Sequence, residues 1–354
     1  MNTIGYALRL TTFGESHGPA VGGILDGMPP RIPIDLRQIA AQLERRRPGS
    51  GAVAVSARRE PDELRLLSGL SPEGLTLGTP IGFIIENRDA RPADYDACRG
   101  KLRPNHADYT YLRKYGMPQQ SGGGRASARE TVNVVAAGAI ARQLLTPQGI
   151  GIEAWISGIP GNMPDEIDSA PVDRACIEDL AKAAAASGDS FGALVSCRIS
   201  GVPAGLGDPV YGKLQARLAM AMMSINAAKS FEYGSGRAAA GCYGSESADL
   251  FVKDAAGNIT TASNYSGGIQ GGISNGQDIL FSVAFKPTPT LMREVQTLDV
   301  DGNQCTIPPR GRHDVCVALR AVPVVEAMAS LVMADALISS GIPLKAQLPP
   351  YPSI

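Results

Sequence analysis

Ser121-Gly122-Gly123-Gly124-Arg125-Ala126-Ser127-Ala128-Arg129-Glu130 is a glycine loop that runs into an apolar segment extending to Leu145. Ser127 and Glu130 form a Ser-x-x-Glu pair, the pattern in which a serine hydroxyl caps a helix N-terminus and a glutamate three residues on caps back. The spacing predicts a long helix from Ala128 to about Leu145, with unsatisfied backbone N–H groups at its start turned towards the glycines. Such a helix end holds phosphate well. Glycines let a ligand approach the backbone closely, and Arg125 and Arg129 add charge. The pattern is neither a Walker loop nor a Gly-x-Gly-x-x-Gly dinucleotide fingerprint. A capped helix with a plain lead-in explains Ser127 and Glu130 but leaves three successive glycines unexplained.

Outward from this loop, strands and helices are mixed. Leu36, Ile39, Ala40 and Leu43 follow Asp35 with helical spacing and stop before Pro48-Gly49, so Arg45, Arg46 and Arg47 fall in a last turn, where cations suit the helix dipole. Further helices are expected from about Arg174 to Ser187 and from about Lys213 to Ala227, and a last one starting at Pro323, a residue suited to the first helical position. Strand-like stretches are Tyr6 to Thr12, Ile81 to Glu86, Ala193 to Ile199, Ile279 to Phe285 and Val315 to Val322. Gly27-Met28-Pro29-Pro30-Arg31-Ile32 before the first helix resembles Gly201-Val202-Pro203-Ala204-Gly205-Leu206 before the fourth, and Gly124-Arg125 and Gly311-Arg312 each precede a long helix. These pairs predict an α+β fold in one domain over residues 1–354, with pseudo-repeat halves of about 1–165 and 166–354. The 41 glycines and 26 prolines are spread throughout, and no linker stands out.

A chain of 354 residues that is 44% hydrophobic can bury a large core without metal or disulfide staples. Its six cysteines show no Cys-x-x-Cys pair, which fits reduced thiols and no metal site. The first residues lack the pattern of a secretion signal, and no apolar run reads as a bilayer span. A formal net charge of −1 gives no reason to expect nucleic acid or an anionic membrane as partner. Arginines, however, gather at 45–47, 58–59, 310 and 312. Guanidinium forks suit a small polyanion; the plainer account is a solvated helix end.

All three histidines stand in polar surroundings: His17 in Gly14-Glu15-Ser16-His17-Gly18, His106 in Arg103-Pro104-Asn105-His106-Ala107-Asp108, and His313 in Gly311-Arg312-His313-Asp314. Each is an acid/base candidate near neutral pH or a satisfied structural residue. A Ser16-His17 hydrolase is disfavoured, because neighbours in sequence seldom take the geometry of nucleophile and base. Asp335 places a carboxylate on the otherwise apolar face of the last helix, given Met328, Leu331 and Val332. It is either a proton acceptor with a raised pKa or the buried partner of an arginine.

Taken together, Thr12-Phe13-Gly14-Glu15-Ser16-His17-Gly18, Arg45-Arg46-Arg47-Pro48-Gly49, Arg58-Arg59-Glu60-Pro61-Asp62, Ser127-Ala128-Arg129-Glu130-Thr131, Met223-Ser224-Ile225-Asn226-Ala227 and Gly311-Arg312-His313-Asp314 resemble the chorismate synthase family, in family order and over nearly the whole chain. The resemblance implies a β-α-β sandwich with helices between antiparallel sheets. It implies a lyase that converts 5-enolpyruvylshikimate 3-phosphate to chorismate by trans 1,4-elimination, the last step of the shikimate pathway in aromatic amino acid biosynthesis, with reduced FMN and no net redox change. The flavin would be held by Arg125, Ala126, Ser127, Asn226, Ala227, Gly271, Lys286, Pro287, Thr288, Pro289, Thr290 and Arg312. Arg46 matches an NADPH position, although NADPH is expected only indirectly, as a source of reduced flavin. His17 would protonate the departing phosphate, His106 would keep the flavin correctly protonated, and Asp335 would relay a proton at the flavin. Arg45, Arg47, Arg129 and Arg320 are weaker candidates for the substrate's anionic groups. A cytoplasmic homotetramer supplied by a separate flavin reductase is the implied setting. Two positions depart from the family pattern: Asn105 stands where glycine is usual, and Ser50 to Ala57 carries no arginine. The alternative reading is an FMN-dependent oxidoreductase acting on a phosphorylated metabolite.

Overall fold

The computed structural model describes residues 1–47, 61–89, 98–309 and 314–344. Strands β1 (Thr3–Ile4), β2 (Arg9–Gly14), β3 (Ala20–Asp26), β4 (Leu64–Leu66) and β5 (Ile81–Glu86) form an antiparallel sheet in the order β1-β2-β3-β5-β4. Strands β6 (Gly151–Gly158), β7 (Ala193–Ser200), β8 (Ala228–Tyr233) and, after the short hairpins β9–β10 (Phe251–Lys253, Ile259–Thr261) and β11–β12 (Ile269–Gln270, Ile273–Ser274), β13 (Ile279–Phe285) form a second antiparallel sheet in the order β6-β7-β13-β8. A hairpin of β14 (Val295–Leu298) and β15 (Gln304–Ile307) follows. The helices are α1 (Leu36–Arg46), α2 (Asp108–Tyr115), α3 (Thr131–Leu145), α4 (Arg174–Ala186), α5 (Leu214–Met223) and α6 (Ala318–Ser339).

Helices α3 and α6 are apolar on nearly every side and lie against each other between the sheets, α3 against β3 of the first and α6 against β6 and β7 of the second. A helix of that composition is stable only when enclosed. They approach so closely that a Cβ on Gly138 would stand 2.5 Å from Ala327 Cα. This is the helix-filled sandwich of an α+β fold. The length and mean hydropathy of α6 would serve a bilayer span, against the sequence expectation, but its burial between the sheets makes it a core helix. One carboxylate ties the layers together: buried Glu326 of α6 accepts from Arg45 of α1 (2.5 and 3.0 Å), Arg142 of α3 (3.2 Å) and the Ala154 backbone N–H of β6 (3.2 Å).

Several boundaries differ from the sequence reading. Asp35 caps α1 as expected, its carboxylate accepting from Arg37 N–H. Ser127 Oγ accepts from Arg129 N–H at 3.3 Å, but Glu130 turns to Arg125 instead of capping back, and a 3-10 turn over Ala128–Glu130 precedes α3. The helix expected from about Lys213 to Ala227 is α5, which ends at Met223. The last begins at Ala318 with Pro323 inside it, so Val315 to Val322 is no strand; a fully enclosed helix shows the same unbroken apolar run as a buried strand. Strand β6 pairs with β7, so the chain passes from the first sheet to the second near residue 150.

Candidate functional site

A cavity of about 430 Å³ opens where the glycine loop, the start of α3, the end of α1, the His106 loop and the segment after β13 meet. Its described lining includes His17, His106, Ala126, Ser127, Asn226, Ala227, Lys286, Thr288, Pro289, Thr290 and Arg46 of the expected residues. Arg129 and Arg320 line it as well, with Arg103, Arg293, Asp62, Asp89 and Asp314.

The glycines shape the wall nearest His17. Gly122, Gly123 and Gly124 all have positive φ, at 71°, 93° and 49°. A Cβ on Gly122 would stand 2.2 Å from His17 Cδ2 and 2.3 Å from its Nε2, and one on Gly124 would stand 2.4 Å from Glu15 Oε2. The imidazole therefore rests on backbone that only glycine leaves open. Buried Ser16 donates its hydroxyl to Gly122 O at 3.2 Å, pinning the His17 turn to the same loop. Opposite, His106 has Nδ1 3.0 Å from Pro104 O and Nε2 3.3 Å from Thr290 Oγ1. A carbonyl can only accept, so the proton sits on Nδ1 and, in the neutral ring, Nε2 accepts from the threonine. The preceding Asn105 has φ 60°, the left-handed region that asparagine tolerates better than most residues. Asparagine can therefore stand in this backbone conformation, where glycine would be the usual choice. Lys286 Nζ donates to Asn105 O at 2.8 Å, and Arg103 clamps Asp108 at the start of α2 through Nε and Nη2, both 2.9 Å. Burial tends to raise the Asp108 carboxyl, but its bonds from Arg103 and Gln119 hold it below the ordinary range.

The floor is charged and buried. Arg46 donates from Nη1 to Asp62 Oδ2 (3.0 Å), from Nε to Thr131 Oγ1 (2.9 Å) and from Nη2 to Ala128 O (3.2 Å). Arg129 bonds the other Asp62 oxygen and Asn87 Oδ1, and Arg320 pairs with Asp314 at 2.7 Å. Burial pushes the Arg46 guanidinium down to about 9, against the pull of Asp62 and with the repulsion of Arg320 and Arg129 added.

Other expected residues lie elsewhere. The Arg125 guanidinium turns away from the cavity to Glu130 (2.6 Å), Thr12 (2.9 Å) and Asn2 (3.2 Å), which leaves its backbone as the part nearest the glycine loop. Gly271 is exposed in the turn between β11 and β12, and Pro287 lies between lining residues without facing the cavity. Arg45 is held by Glu326, and Arg47 by Glu44 of its own helix. Arg312, with His313, Arg58, Arg59 and residues 50–57, lies outside the described residues. Asp335 is the clearest displacement. Its carboxylate accepts from the backbone N–H groups of Tyr6 (3.0 Å), Ala7 (2.7 Å) and Leu8 (2.9 Å) and pairs with buried Arg217, beside a separate small pocket. Of its two sequence readings, the structure has the buried arginine partner. Asp62 and Asp314 carry no role in the sequence reading; the signal for them is an aspartate directly after a proline or a histidine in an arginine-rich motif.

The wall suits a ligand that carries anionic and polar groups. Thr288 Oγ1, Gln119 Oε1 and Arg320 Nε are buried in it with no hydrogen-bond partner among the described residues. Buried polar atoms of this kind are normally satisfied. Asn226 donates to Ala126 O at 3.0 Å, and Ala227 holds φ at 69°, so this stretch is built against the glycine loop.

The family model for chorismate synthase matches residues 8–338. The chorismate synthase of Porphyromonas gingivalis is 49% identical over 356 residues, covering 96% of both chains. That of Synechococcus sp. is 47% identical over 354 residues, covering 95% of this chain and 97% of its own. A crystal structure of chorismate synthase shares the fold with a TM-score of 0.75 at 29% identity, covering 95% of this chain and 93% of that one.

Proposed function

The chain belongs to the chorismate synthase family, a family of lyases, and from that premise we propose that it converts 5-enolpyruvylshikimate 3-phosphate to chorismate by trans 1,4-elimination with reduced FMN bound in the cavity described above. The observation that carries the reading is the convergence of Arg46, Arg129 and Arg320 with His17 and His106 on one cavity. A substrate bearing a phosphate and carboxylates needs such cations, and a departing phosphate needs a proton donor.

In this reading the reduced flavin supplies transient electron donation that eases loss of phosphate. It would be held by the Gly123 to Ser127 backbone, Asn226, Ala227 and Thr288 to Thr290, a set consistent with the open glycines and with the partnerless Thr288 hydroxyl. Arg46, Arg129 and Arg320 bind and orient the anionic substrate. His17, seated on Gly122, delivers a proton to the leaving phosphate oxygen. His106 holds its proton at Nδ1 and presents Nε2 beside Thr290. The proton-accepting role expected of Asp335 falls in this reading to a carboxylate that lines the cavity, with Asp62 set aside because both its oxygens are engaged by arginines. Arg46 acts on substrate in this scheme and not on a dinucleotide, so the protein depends on a separate source of reduced flavin. The homotetramer and cytoplasmic setting of the family belong to the same proposal.

The test is anaerobic turnover with chemically reduced FMN. Chorismate and phosphate in equal amounts, without consumption of reductant, support the reading. Equal rates with oxidised FMN, or net flavin oxidation matched to product, would refute it.

A further inference from the structure

Asp62 has φ 49°, a left-handed conformation that a residue with a side chain adopts only at a cost. Its carboxylate is wholly buried in the cavity floor, with side-chain exposure of 0%. Strain and burial coincide here with a charge, and the charge has a specific use. Oδ2 accepts from Arg46 Nη1 at 3.0 Å, and Oδ1 pairs with Arg129 Nη1.

We propose that Asp62 is a positioning residue, which fixes Arg46 and Arg129 side by side as the seat for one anionic group of the ligand and acts chiefly through Arg46.

The two guanidiniums come from different elements, the end of α1 and the turn before α3, and nothing in either element brings like charges together. A carboxylate between them makes that approach possible. Arg129 has further anchors in Asn87 Oδ1 (2.9 Å) and Glu86 O (3.3 Å), so it keeps an orientation without Asp62. Among the described residues Arg46 has no second hydrogen-bonded carboxylate, and its other hydrogen-bond partners are the neutral Thr131 hydroxyl and Ala128 carbonyl. Among the described residues in hydrogen-bond contact there, one negative charge set against two positive ones leaves a surplus cation at the seat. The neighbouring Arg320–Asp314 pair adds none, so an incoming anion completes the neutralisation. Both Asp62 oxygens are occupied, which is why the residue positions and does not itself exchange protons with a ligand. Burial already draws the Arg46 guanidinium down to about 9, so loss of its counter-charge would bring its deprotonation closer to neutral pH.

The inference rests on the proposed function only for which anion sits there. Asp62→Asn tests it, because asparagine tolerates the left-handed conformation while removing the charge. Sulfate is the probe, its charge being constant over the pH range used. The expected result is at least tenfold weaker sulfate binding by calorimetry and at least a tenfold rise in KM for 5-enolpyruvylshikimate 3-phosphate, with kcat within about threefold, and an alkaline limb of 1/KM shifted to lower pH. Asp62→Asn combined with Arg46→Gln removes one charge of each sign, leaves Arg129 to its Asn87 and Glu86 anchors, and covers the case in which the single variant does not fold. Its KM should match that of Arg46→Gln alone within about threefold. Unchanged sulfate affinity in Asp62→Asn, or a further tenfold rise in KM in the Arg46→Gln background, would overturn the proposal. Absence of turnover by the unaltered enzyme would sink the proposed reaction instead, and the sulfate arm would still decide the role of Asp62.

Discussion

Replacing Gly122 by alanine should disable His17 without dismantling the protein. The added methyl would lie 2.2 Å from His17 Cδ2, against about 3.4 Å for ordinary contact, so the ring must retreat by roughly 1.2 Å. A displacement of about 1 Å in a group that must meet its substrate costs on the order of 10²-fold in rate. That corresponds to about 2.7 kcal/mol in the barrier. Alanine at a positive φ adds a stability cost of about 1–2 kcal/mol, because the Cβ crowds the following carbonyl. Gly123→Ala separates the two effects. Its φ of 93° carries a comparable backbone cost, but its methyl would meet only Ser127 Cβ at 3.7 Å and Gln119 Oε1 at 3.9 Å. Chemical denaturation should therefore show similar destabilisation of the two variants, whereas single-turnover rates with reduced flavin should fall at least tenfold further in Gly122→Ala. Equal activity in the two, with equal stability, would refute the argument that the glycine loop seats a functional His17.

Three further outcomes follow from the geometry. Asp335→Asn, by leaving Arg217 as a buried unpaired charge, should cost about 3–5 kcal/mol in urea titrations while the kcat of the folded enzyme changes less than about threefold; a kcat loss of about 10²-fold at unchanged stability would restore its catalytic reading. Arg125→Ala should weaken FMN binding less than about tenfold in fluorescence titrations and lower the melting temperature instead, since the guanidinium serves Glu130, Thr12 and Asn2; a hundredfold loss of flavin affinity with normal stability would contradict that orientation. Asp108 has a folded-state pKa below its unfolded value, so its contribution is fully present above about pH 4 and is lost as the pH falls through the lowered pKa; Asp108→Asn should thus lose stability at pH 7 and progressively less as the pH falls below about 4, and a loss that does not change with pH would show the carboxylate's charge to be irrelevant.

Whatever is local or spelled out in a run of residues was legible in the chain alone. Asp35 had to cap α1, Ile81–Glu86 and Ile279–Phe285 had to be strands, and Gly122 to Gly124 had to lead into a long apolar helix, because capping chemistry, alternation and glycine freedom operate over a few bonds. The motif order was enough to indicate the family before any contact was known. Tertiary structure decided what depends on partners hundreds of residues away. Spacing put Asp335 on an apolar face but could not say that the backbone of Tyr6 to Leu8 and the side chain of Arg217 would claim its carboxylate. Spacing places Arg45, Arg46 and Arg47 alike in the last turn of a helix, yet successive helical residues point about 100° apart, so Arg45 goes to Glu326 and Arg46 to the cavity floor, while Arg47, extended just past the helix end, turns back to Glu44. The strand assigned to Val315–Val322 became the start of α6 because a segment enclosed on all sides loses the periodicity that tells helix from strand. Asp62, Arg129 and Arg46 form one unit only after α1, the chain before β4 and the turn before α3 are packed together, since a charge network is a property of distances that no linear spacing contains.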